Sequence, residues 1–566
     1  MKMRAPFIML MEIRCDKFIS NGHPRGPIEF HPGLNVILGD DNGSNSIGKS
    51  TFLMILDFVF GGKDYIKKSK DVQENVGEHN ICFSFDFDGK KYYFCRNTVH
   101  YMQVQECDEK YQPLANIEPL SLDAYCNFLM DKYKINIECS TWRGAVSRFI
   151  RVYKRDTLDE AHPLKSAQQE KAELAIKSFM KLWGRYEVVE KQINAANEAI
   201  EERDAFNKAQ KYNQIRSARN KTEFEENNKR IKSLQTKEQE LAESSNKGLL
   251  NLDGMQAQRL SELKTQIIQF QREAAQVSYD LNNIRRDMTG EKKRFSKDFG
   301  ELEHFFPNED FRSLEEIEVF HHHLSKVLHD EYREAERKLE ISYVTLNGEI
   351  VKLKEEIASI KKIPNVSAAI LKEYAKIMTE LNNLQEANKN YEEHERLNKV
   401  AKEYTENRDS VIKDQLSAIQ MAVNQEMRLI TDQILGRGKQ SPRLKLEGLT
   451  KYSFETPNDG GTGAQFRGII TFDLANLKLT TLPFIIHDSV VLKNLSKDTL
   501  AKIVKQYVSF SSREGMEKKQ IFISYDSLDS YDEDTEQIMK KHAVLELSPD
   551  GNELFGWPWN KETGTK

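Results

Sequence analysis

The chain has 566 residues and a formal net charge of −5, and 30% of its residues are charged against 39% hydrophobic. A chain of this length is too long to fold around one hydrophobic core, so two or three structural units are expected. The negative net charge excludes nucleic-acid binding by bulk electrostatic attraction. No run of about 18 or more apolar residues occurs, so we expect no membrane partner. The six cysteines are irregularly spaced without a CxxC pair, which predicts neither a zinc site nor a disulfide framework and fits a cytoplasmic protein.

Residues 1–160 have the sequence pattern of one half of an α/β domain. The apolar runs FIMLMEI and LNVILG flank a polar stretch, and both predict buried strands. A hairpin is predicted at residues 81–96, because Asp88 and Gly89 separate the alternating runs ICFSFDF and KYYFCR.

The stretch LGDDNGSNSIGKSTFL, residues 38–53, contains the P-loop spacing G-x-x-x-x-G-K-[ST]. It follows the predicted strand LNVILG and precedes the apolar run STFLMILDFVF, the strand–loop–helix order that a P-loop needs. Backbone N–H groups and the helix amino terminus are predicted to hold phosphates, Lys49 to neutralise charge on the β- and γ-phosphates, and Ser50 to bind Mg²⁺. The predicted nucleotide-binding residues are Asn42, Gly43, Ser44, Asn45, Ser46, Ile47, Gly48, Lys49, Ser50 and Thr51.

A basic run precedes the long helical stretch and contains Arg143, Arg148, Arg151, Lys154 and Arg155. Arginine and lysine side chains in this position predict contacts to DNA phosphates that do not depend on base sequence. A helix held by salt bridges to the rest of the domain is the alternative interpretation.

Residues 161–436 are rich in Glu, Lys, Gln and Asn, with apolar residues at alternating steps of three and four. The steps are unbroken from Leu260 to Met288, from Leu339 to Ile360 and from Ile370 to Leu384. This pattern is typical of a coiled coil, and a bundle of ordinary surface helices is the alternative.

Three clusters of helix-breaking residues interrupt this pattern. The cluster near residues 298–312 predicts the tip of an antiparallel hairpin, and those near 243–254 and 361–366 are expected to lie side by side as a joint. An arm of about 120 helical residues reaches on the order of 180 Å, and the joint is expected to let it bend.

Residues 437–566 return to α/β texture and predict the other half of the same domain, since an antiparallel hairpin brings its two ends together. The apolar strand in LPFIIHDS ends in Asp488, which is predicted to fix Mg²⁺ through water, as a Walker B residue does. Its neighbours His487 and Ser489 complete the set of candidate catalytic residues.

A glycine-rich turn opens an apolar helix upstream of that strand. In a head-to-head dimer this turn is expected to meet the γ-phosphate held by the opposite subunit, and a flexible surface loop is the alternative. Its residues are Gly460, Gly461, Thr462 and Gly463.

The order of P-loop, long coiled-coil hairpin, glycine signature and Walker B strand resembles the SMC, RecF and RecN group of ABC-class ATPases. The opening IEFHPGLNVILGDDNGSNSIGKSTFL is similar to the start of those proteins. The short arms and the GG-TGAQFR…PFIIHDS style are similar to the SMC-like ATPases of bacterial anti-phage systems of the Lamassu and ABC three-component types. The resemblance implies an α/β ATPase head built from both chain ends, ATP and Mg²⁺ as cofactors, and a homodimer joined through its heads. It also implies double-stranded DNA, a nuclease-like effector and accessory subunits as partners.

Three departures from that group bear on hydrolysis. Ser46 replaces a loop glycine, Ser489 stands where the group has the glutamate that polarises water, and no switch histidine follows the next strand. His487, Asp526 or Asp529 could substitute as the base, and no CxxC motif provides a zinc hook at the tip. ATP binding is therefore better supported than fast hydrolysis. A housekeeping repair or recombination ATPase and a non-hydrolysing, ATP-gated scaffold are the alternative functions.

Overall fold

The computed structural model describes residues 8–40, 47–115, 117–135, 141–212, 215–243, 250–305, 312–360, 368–511, 519–526 and 532–558. The chain divides into a head unit, Met1–Ala196 with Tyr404–Lys566, and a helical unit, Asn197–Glu403. The domain boundaries at residues 160 and 436 stay a prediction. Helical residues such as Phe179 and Ile430 pack into the core of the head unit, so the head unit extends into the helices.

The described strands alternate with helices at both ends of the chain and are absent from the described part of the middle. In chain order they are β1 (Ile8–Cys15), β2 (Ile19–Ser20), β3 (His23–Pro24), β4 (Ile28–Glu29), β5 (Gly33–Leu38), β6 (Asn80–Phe87), β7 (Lys90–Asn97), β8 (Gln103–Cys107), β9 (Leu120–Ser121), β10 (Ile150–Arg151), β11 (Arg443–Leu446), β12 (Tyr452–Glu455), β13 (Phe484–His487), β14 (Gln520–Tyr525) and β15 (Ala543–Glu546).

The described helices include five that exceed 20 residues, all between Tyr186 and Leu435. In chain order the helices are α1 (Lys49–Val59), α2 (Asp64–Lys68), α3 (Lys70–Val76), α4 (Leu122–Lys132), α5 (Trp142–Val146), α6 (Ala172–Leu182), α7 (Tyr186–Lys211), α8 (Lys221–Glu243), α9 (Leu250–Phe305), α10 (Arg312–Ile360), α11 (Ala368–Leu435), α12 (Thr462–Leu479), α13 (Ser489–Leu492), α14 (Lys497–Ser511) and α15 (Glu533–Lys541).

A five-stranded parallel sheet lies at the centre of the head unit, in the order β10-β13-β14-β5-β15. Every residue of β5, β13 and β14 is buried, as expected for parallel strands covered on both faces. Two strands of this sheet, β5 and β10, come from the amino-terminal part of the chain, and β13, β14 and β15 come from the carboxyl-terminal part. Both chain ends therefore build one head, as the sequence predicts.

A second, antiparallel sheet has the order β4-β1-β6-β7-β8-β9. The predicted hairpin is β6–β7, and its turn residues Asp88 and Gly89 both have positive φ, 55° and 88°, which is the backbone of a type I′ turn. The register places Cys82 opposite Cys95, and the two are joined as a disulfide. The cysteine spacing did not predict this link, because only the strand register brings the two residues together.

The long helices of the helical unit pair in antiparallel fashion. Arg259 of α9 pairs with Glu356 of α10, and Arg230 of α8 pairs with Glu380 of α11. The helix ends flank the three predicted breaks, and the segments 244–249, 306–311 and 361–367 lie outside the described residues. A further break separates α7 from α8, and the seam pattern does not predict it.

The outer pair α9–α10 folds back along the inner pair. Arg272 of α9 forms an ion pair with Glu386 of α11, in the stretch of α11 that also contacts α8 through Glu380. In an extended hairpin these two residues would lie roughly 60 Å apart, because each is about 20 helical residues from the joint. A fully extended arm is therefore not what the structure contains.

Candidate functional site

The P-loop helix α1 is the next element in the chain after β5, the neighbour of the central strand β14 in the parallel sheet. Lys49 is the first residue of α1, and Gly48 caps it with a left-handed backbone at φ 102°. A Cβ atom on Gly48 would lie 2.5 Å from the Cβ of Leu554. Only glycine meets both requirements, which explains this position of the motif.

A cavity of about 400 Å³ opens at this end of the sheet. The predicted site residues that line it are Ile47, Gly48, Lys49, Ser50, Thr51, Lys154, Asp488 and Ser489. The structure thus brings Lys49 and Ser50 of the P-loop motif to the same cavity as Asp488, the predicted Walker B residue, although more than 430 residues separate them in the chain. The predicted ligands Asn42, Gly43, Ser44, Asn45 and Ser46 lie outside the described residues.

Asp488 is held in place from two sides at the end of β13. The Ser524 hydroxyl donates a hydrogen bond to its Oδ1 at 2.7 Å, and the Tyr153 N–H donates to its Oδ2 at 2.9 Å. The Ser489 N–H in turn donates to the Ser524 oxygen at 2.7 Å. No sequence motif indicates the role of Ser524, because this role depends on β14 lying between β13 and β5.

The residues present fit a magnesium nucleotide. Mg²⁺ is usually held by one or two carboxylates together with phosphate oxygens and waters, and Asp488 and Ser50 line the same cavity. Within the described residues, no cluster of three or more His, Cys, Asp or Glu side chains is arranged to hold a metal ion. The same part of the chain contains no helix long and apolar enough to cross a membrane.

Asp526 follows β14 and ion-pairs with two lysines at the cavity. Its Oδ1 lies 2.6 Å from the Lys49 Nζ, and its Oδ2 lies 2.7 Å from the Lys493 Nζ. Lys493 also lines the cavity but belongs to no motif. The only sequence signal for it is its position four residues after Ser489, which places both on one face of a helical turn.

Ser489 occupies the position where the resemblance leads one to expect a glutamate. Its hydroxyl lies 3.5 Å from Asp488 Oδ1, and the residue lines the cavity. A serine hydroxyl does not take up a proton near neutral pH, so Ser489 cannot act as the general base that a carboxylate would be.

The interpretation of His487 as a candidate base is wrong. The residue is fully buried, its Nδ1 lies 2.7 Å from the Tyr507 hydroxyl, and its Nε2 lies 3.0 Å from Asp473 Oδ2. Because side chains alternate along a strand, His487 points to the opposite face from its neighbour Asp488. Arg151 pairs with Asp473 through two hydrogen bonds of 2.8 and 2.9 Å.

The electrostatics of Asp473 support this structural role. Burial by itself would raise the pKa of Asp473, but the charge of Arg151 and the hydrogen bonds from Arg151 and His487 outweigh it and lower the pKa. The carboxyl group therefore stays ionised in the core as the partner of the guanidinium.

The interpretation of the basic run as a DNA surface is also wrong for most of its members. Arg148, Arg151 and Arg155 are buried, and Arg155 and Arg143 both pair with the buried carboxylate of Asp57 at 2.5 Å. A guanidinium whose donors are used in the core cannot reach a phosphate in solvent. The alternative interpretation, a segment held by salt bridges, describes these arginines.

Arg148 and Lys154 of the basic run lie in different surroundings. Arg148 donates hydrogen bonds to the carbonyls of Leu164 and Ala175, and burial lowers its pKa. Lys154 is 44% exposed, pairs with Asp71 at 3.3 Å and lines the cavity. Lys154 is thus placed near the P-loop and not on a basic surface with the arginines.

The glycine-rich turn starts α12 and lies apart from the cavity. Gly460, Gly461 and Thr462 are exposed, Gly461 caps the helix without a side-chain hydrogen bond, and a Cβ on Gly463 would lie 2.8 Å from the Asn494 carbonyl oxygen. None of the four lines the cavity among the described residues. Three of the four residues are exposed, as a contact with a second subunit would require.

Comparison with known proteins gives two kinds of match and no related curated sequence. A family model described as an uncharacterised protein conserved in bacteria, DUF2326, matches residues 429–559. This segment includes Asp488, Lys493 and Asp526 but not the P-loop. The match therefore covers one side of the cavity and carries no activity.

Solved Smc head domains match most of the chain at low similarity. The head with a coiled coil and joint from Pyrococcus yayanosii is 14% identical, with 96% of this chain and 95% of that chain covered and a TM-score of 0.42. The Pyrococcus furiosus head with an extended coiled coil, bound to the C-terminal domain of ScpA, is 12% identical, with 95% and 92% covered and a TM-score of 0.32. An Smc head bound to the C-winged helix domain of ScpA is 10% identical, with 95% and 92% covered and a TM-score of 0.34.

Proposed function

We propose that this chain is a coiled-coil ATPase of the ABC class that binds ATP in the cavity of its head and pairs with a second head when ATP is bound. The observation that carries the proposal is the meeting of Lys49 and Ser50, in the first turn of α1, with Asp488 at one cavity. The amino terminus of a helix and a lysine favour phosphate, and a fixed carboxylate beside a serine hydroxyl suits Mg²⁺.

Each residue has a defined part in this proposal. Lys49 neutralises phosphate charge, Ser50 provides a hydroxyl ligand, and Asp488 holds the metal through water, with its orientation fixed by Ser524. Bound magnesium would supply Lewis-acid polarisation of the terminal phosphate. The protein's contribution is to position these groups before the ligand arrives.

The signature turn is proposed to act on the partner's nucleotide. The first-turn N–H groups of the 18-residue helix α12 receive no side-chain cap, and such a helix end favours an anion. A Cβ atom on Gly460 would have no neighbour within 4 Å, and a Cβ atom on Gly461 would lie 3.8 Å from Asp459 Oδ1. The exposed backbone is therefore accessible to the terminal phosphate held by a second head.

Hydrolysis is proposed to be slow or absent, because Ser489 lacks the carboxylate that would polarise water. This keeps the non-hydrolysing, ATP-gated scaffold as a second candidate. Multi-turnover ATPase measurements with and without linear DNA separate the two, since a scaffold should bind ATP with no turnover under either condition.

DNA clamping and the licensing of a nuclease-like effector in anti-phage defence belong to the proposal through the sequence resemblance. The buried arginines remove the one DNA surface that the sequence suggested. DNA binding is therefore to be measured on the ATP-bound dimer, where affinity should fall steeply with salt. Binding that is equal with and without ATP would contradict a clamp.

The central experiment compares wild type with Lys49→Ala and Gly461→Arg. Lys49→Ala should lose ATP binding and dimerisation together, whereas Gly461→Arg should bind ATP as a monomer, since its side chain blocks only the paired surface. Equilibrium binding and light scattering measure the two properties. ATP affinity unchanged in Lys49→Ala would refute the cavity assignment, and ATP-dependent dimers of Gly461→Arg would refute the signature assignment.

A further inference from the structure

The carboxylate of Asp526 lies between two ammonium groups at the cavity. It is 2.6 Å from the Nζ of Lys49 and 2.7 Å from that of Lys493, and its own side chain is only 3% exposed. A buried carboxylate is costly unless it is paired. The two lysines therefore provide the partners that a carboxylate at this depth requires.

Three separate segments build this cluster. Asp526 follows β14, Lys49 begins α1, and Lys493 follows the short helix α13, where its N–H donates to the Ser489 carbonyl at 2.9 Å. Gly39 leaves room for it, since a Cβ there would lie 2.9 Å from Asp526 Oδ1 and 3.0 Å from the Lys49 Nζ. The position after β5 is thus kept small so that the carboxylate can reach the P-loop lysine.

We infer that Lys493 is a second phosphate-binding cation and that Asp526 is the anion that holds both lysines when no nucleotide is bound. The inference rests on the proposed function, because it needs a polyphosphate in the cavity. Two lysines and one aspartate give this cluster a charge of +1. A phosphate chain would then compete with Asp526 for both ammonium groups.

The two lysines differ in a way that assigns them different parts. The Lys49 side chain is 8% exposed and that of Lys493 is 44% exposed, so Lys493 has more freedom to move from Asp526 to a ligand. Lys49 is fixed at the helix start, where the phosphates nearest the P-loop would lie. Lys493 is fixed beside Ser489 and suits the outer end of the phosphate chain.

This assignment predicts a dependence on the number of phosphates. Loss of one charged contact costs about 1.5–3 kcal/mol, so Lys493→Ala should weaken ATP binding by roughly tenfold or more. AMP binding should change by less than about twofold, because AMP lacks the outer phosphates. Lys493→Arg keeps the charge and should restore most of the ATP affinity.

Asp526→Asn should act in the opposite direction. The amide has nearly the same shape but no charge, so both lysines lose their competitor and repulsion between carboxylate and phosphate disappears. ATP should bind several-fold more tightly than to wild type. A purely structural aspartate would instead give weaker binding and a less stable head when replaced.

The test is a titration of ATP, ADP and AMP into wild type, Lys493→Ala, Lys493→Arg and Asp526→Asn, with thermal unfolding of each variant as the folding check. Lys502→Ala is the matched control, since Lys502 is 41% exposed and pairs with Asp498 at 2.7 Å outside the cavity lining. The expected result is weaker ATP binding only in Lys493→Ala and tighter binding in Asp526→Asn.

Two failures can be told apart. If wild type binds no ATP, or Lys49→Ala binds as wild type does, the proposed function itself is wrong. If Lys49→Ala loses binding while Lys493→Ala matches Lys502→Ala, the P-loop assignment stands and the role of Lys493 is wrong. Weaker or unchanged ATP binding in a folded Asp526→Asn variant would overturn the role given to Asp526.

Discussion

Two ion-paired clusters lie in the head unit, and they differ in what surrounds them. In the cavity cluster, Asp526 pairs with Lys49 and Lys493 beside open volume. In the core cluster, Asp473 pairs with Arg151 and lies near His487, with all three side chains fully buried. A ligand can replace a partner in the first cluster but cannot enter the second.

The comparison shows why residue type alone does not identify an anion site. All three guanidinium nitrogens of Arg151 donate hydrogen bonds. Besides those to Asp473, they reach the carbonyls of Thr157 and Pro163 at 2.6 and 3.1 Å. The cavity lysines pair with Asp526 beside open volume. In the proposed function, the lysines of the cavity cluster exchange Asp526 for phosphate. The pair of Arg151 with Asp473 in the core cluster contributes to stability instead.

The largest expected effect is on the core cluster. Arg151→Ala should lower the free energy of unfolding by about 3–5 kcal/mol, because it leaves the Asp473 carboxylate buried and unpaired. Urea unfolding measures this. Lys154→Ala is the control, since its exposed pair with Asp71 should contribute no more than about 1 kcal/mol. Equal midpoints for the two variants would remove the distinction between buried and exposed pairs.

The second effect concerns ligand-dependent stability of the cavity cluster. Saturating ATP at about one hundred times its Kd should stabilise wild type by about 2.7 kcal/mol. Lys49→Ala should lose this stabilisation. Without nucleotide, Lys49→Ala should lower the free energy of unfolding by much less than Arg151→Ala does. Thermal unfolding with and without ATP tests both statements. A Lys49→Ala variant as unstable as Arg151→Ala would show that the cavity cluster is also structural.

A smaller effect is expected at Gly48, which shapes the cavity without carrying charge. Gly48→Ala places a Cβ against Leu554 in a left-handed backbone at φ 102°, which should cost about 1–3 kcal/mol. ATP affinity should fall as well, because the first turn of α1 must shift. Gly461→Ala is the control, since Gly461 has φ −68° and should tolerate the change. Similar losses in both variants would contradict the role of the tight approach to Leu554.

The sequence predicts the cavity better than the core cluster, for a physical reason. Lys49 and Asp488 each follow a local strand pattern that can be read from a few neighbours. The partners of the arginines lie far away in the chain, with Asp473 at a separation of 322 residues from Arg151 and Asp57 at 86 from Arg143. No local pattern could indicate that these guanidinium groups would be buried.

The long helices are predicted from the sequence less completely than the cavity but better than the core cluster. The seam pattern and the helix-breaking clusters predict where α9, α10 and α11 begin and end. The extra break before α8 also has a local signal, a cap in which Asn220 Oδ1 accepts the Glu223 N–H at 2.9 Å and the Glu223 carboxylate accepts the Arg219 N–H at 2.8 Å. This arrangement is close to a capping box, which is a signal that the local sequence contains.

The smallest expected effect is at the exposed ion pair that joins α9 to α11. Arg272 and Glu386 are 39% and 35% exposed, so their pair should contribute no more than about 1 kcal/mol. Such a weak pair belongs with the exchangeable contacts and not with the core cluster. Arg272→Glu places two negative charges together and should shift the helical unit away from the folded-back state without changing its helix content.

Spin labels at Ala275 and Lys389, both exposed, measure this change. The folded-back state gives a short distance, whereas an extended hairpin gives roughly 70 Å, because each label is then more than 20 helical residues from the joint. Wild type should show mainly the short distance, and Arg272→Glu should add a long-distance population. Raising salt should act in the same direction in wild type, since it screens the pair. Only short distances in every sample would mean that apolar packing, and not this ion pair, holds the outer helices against α11.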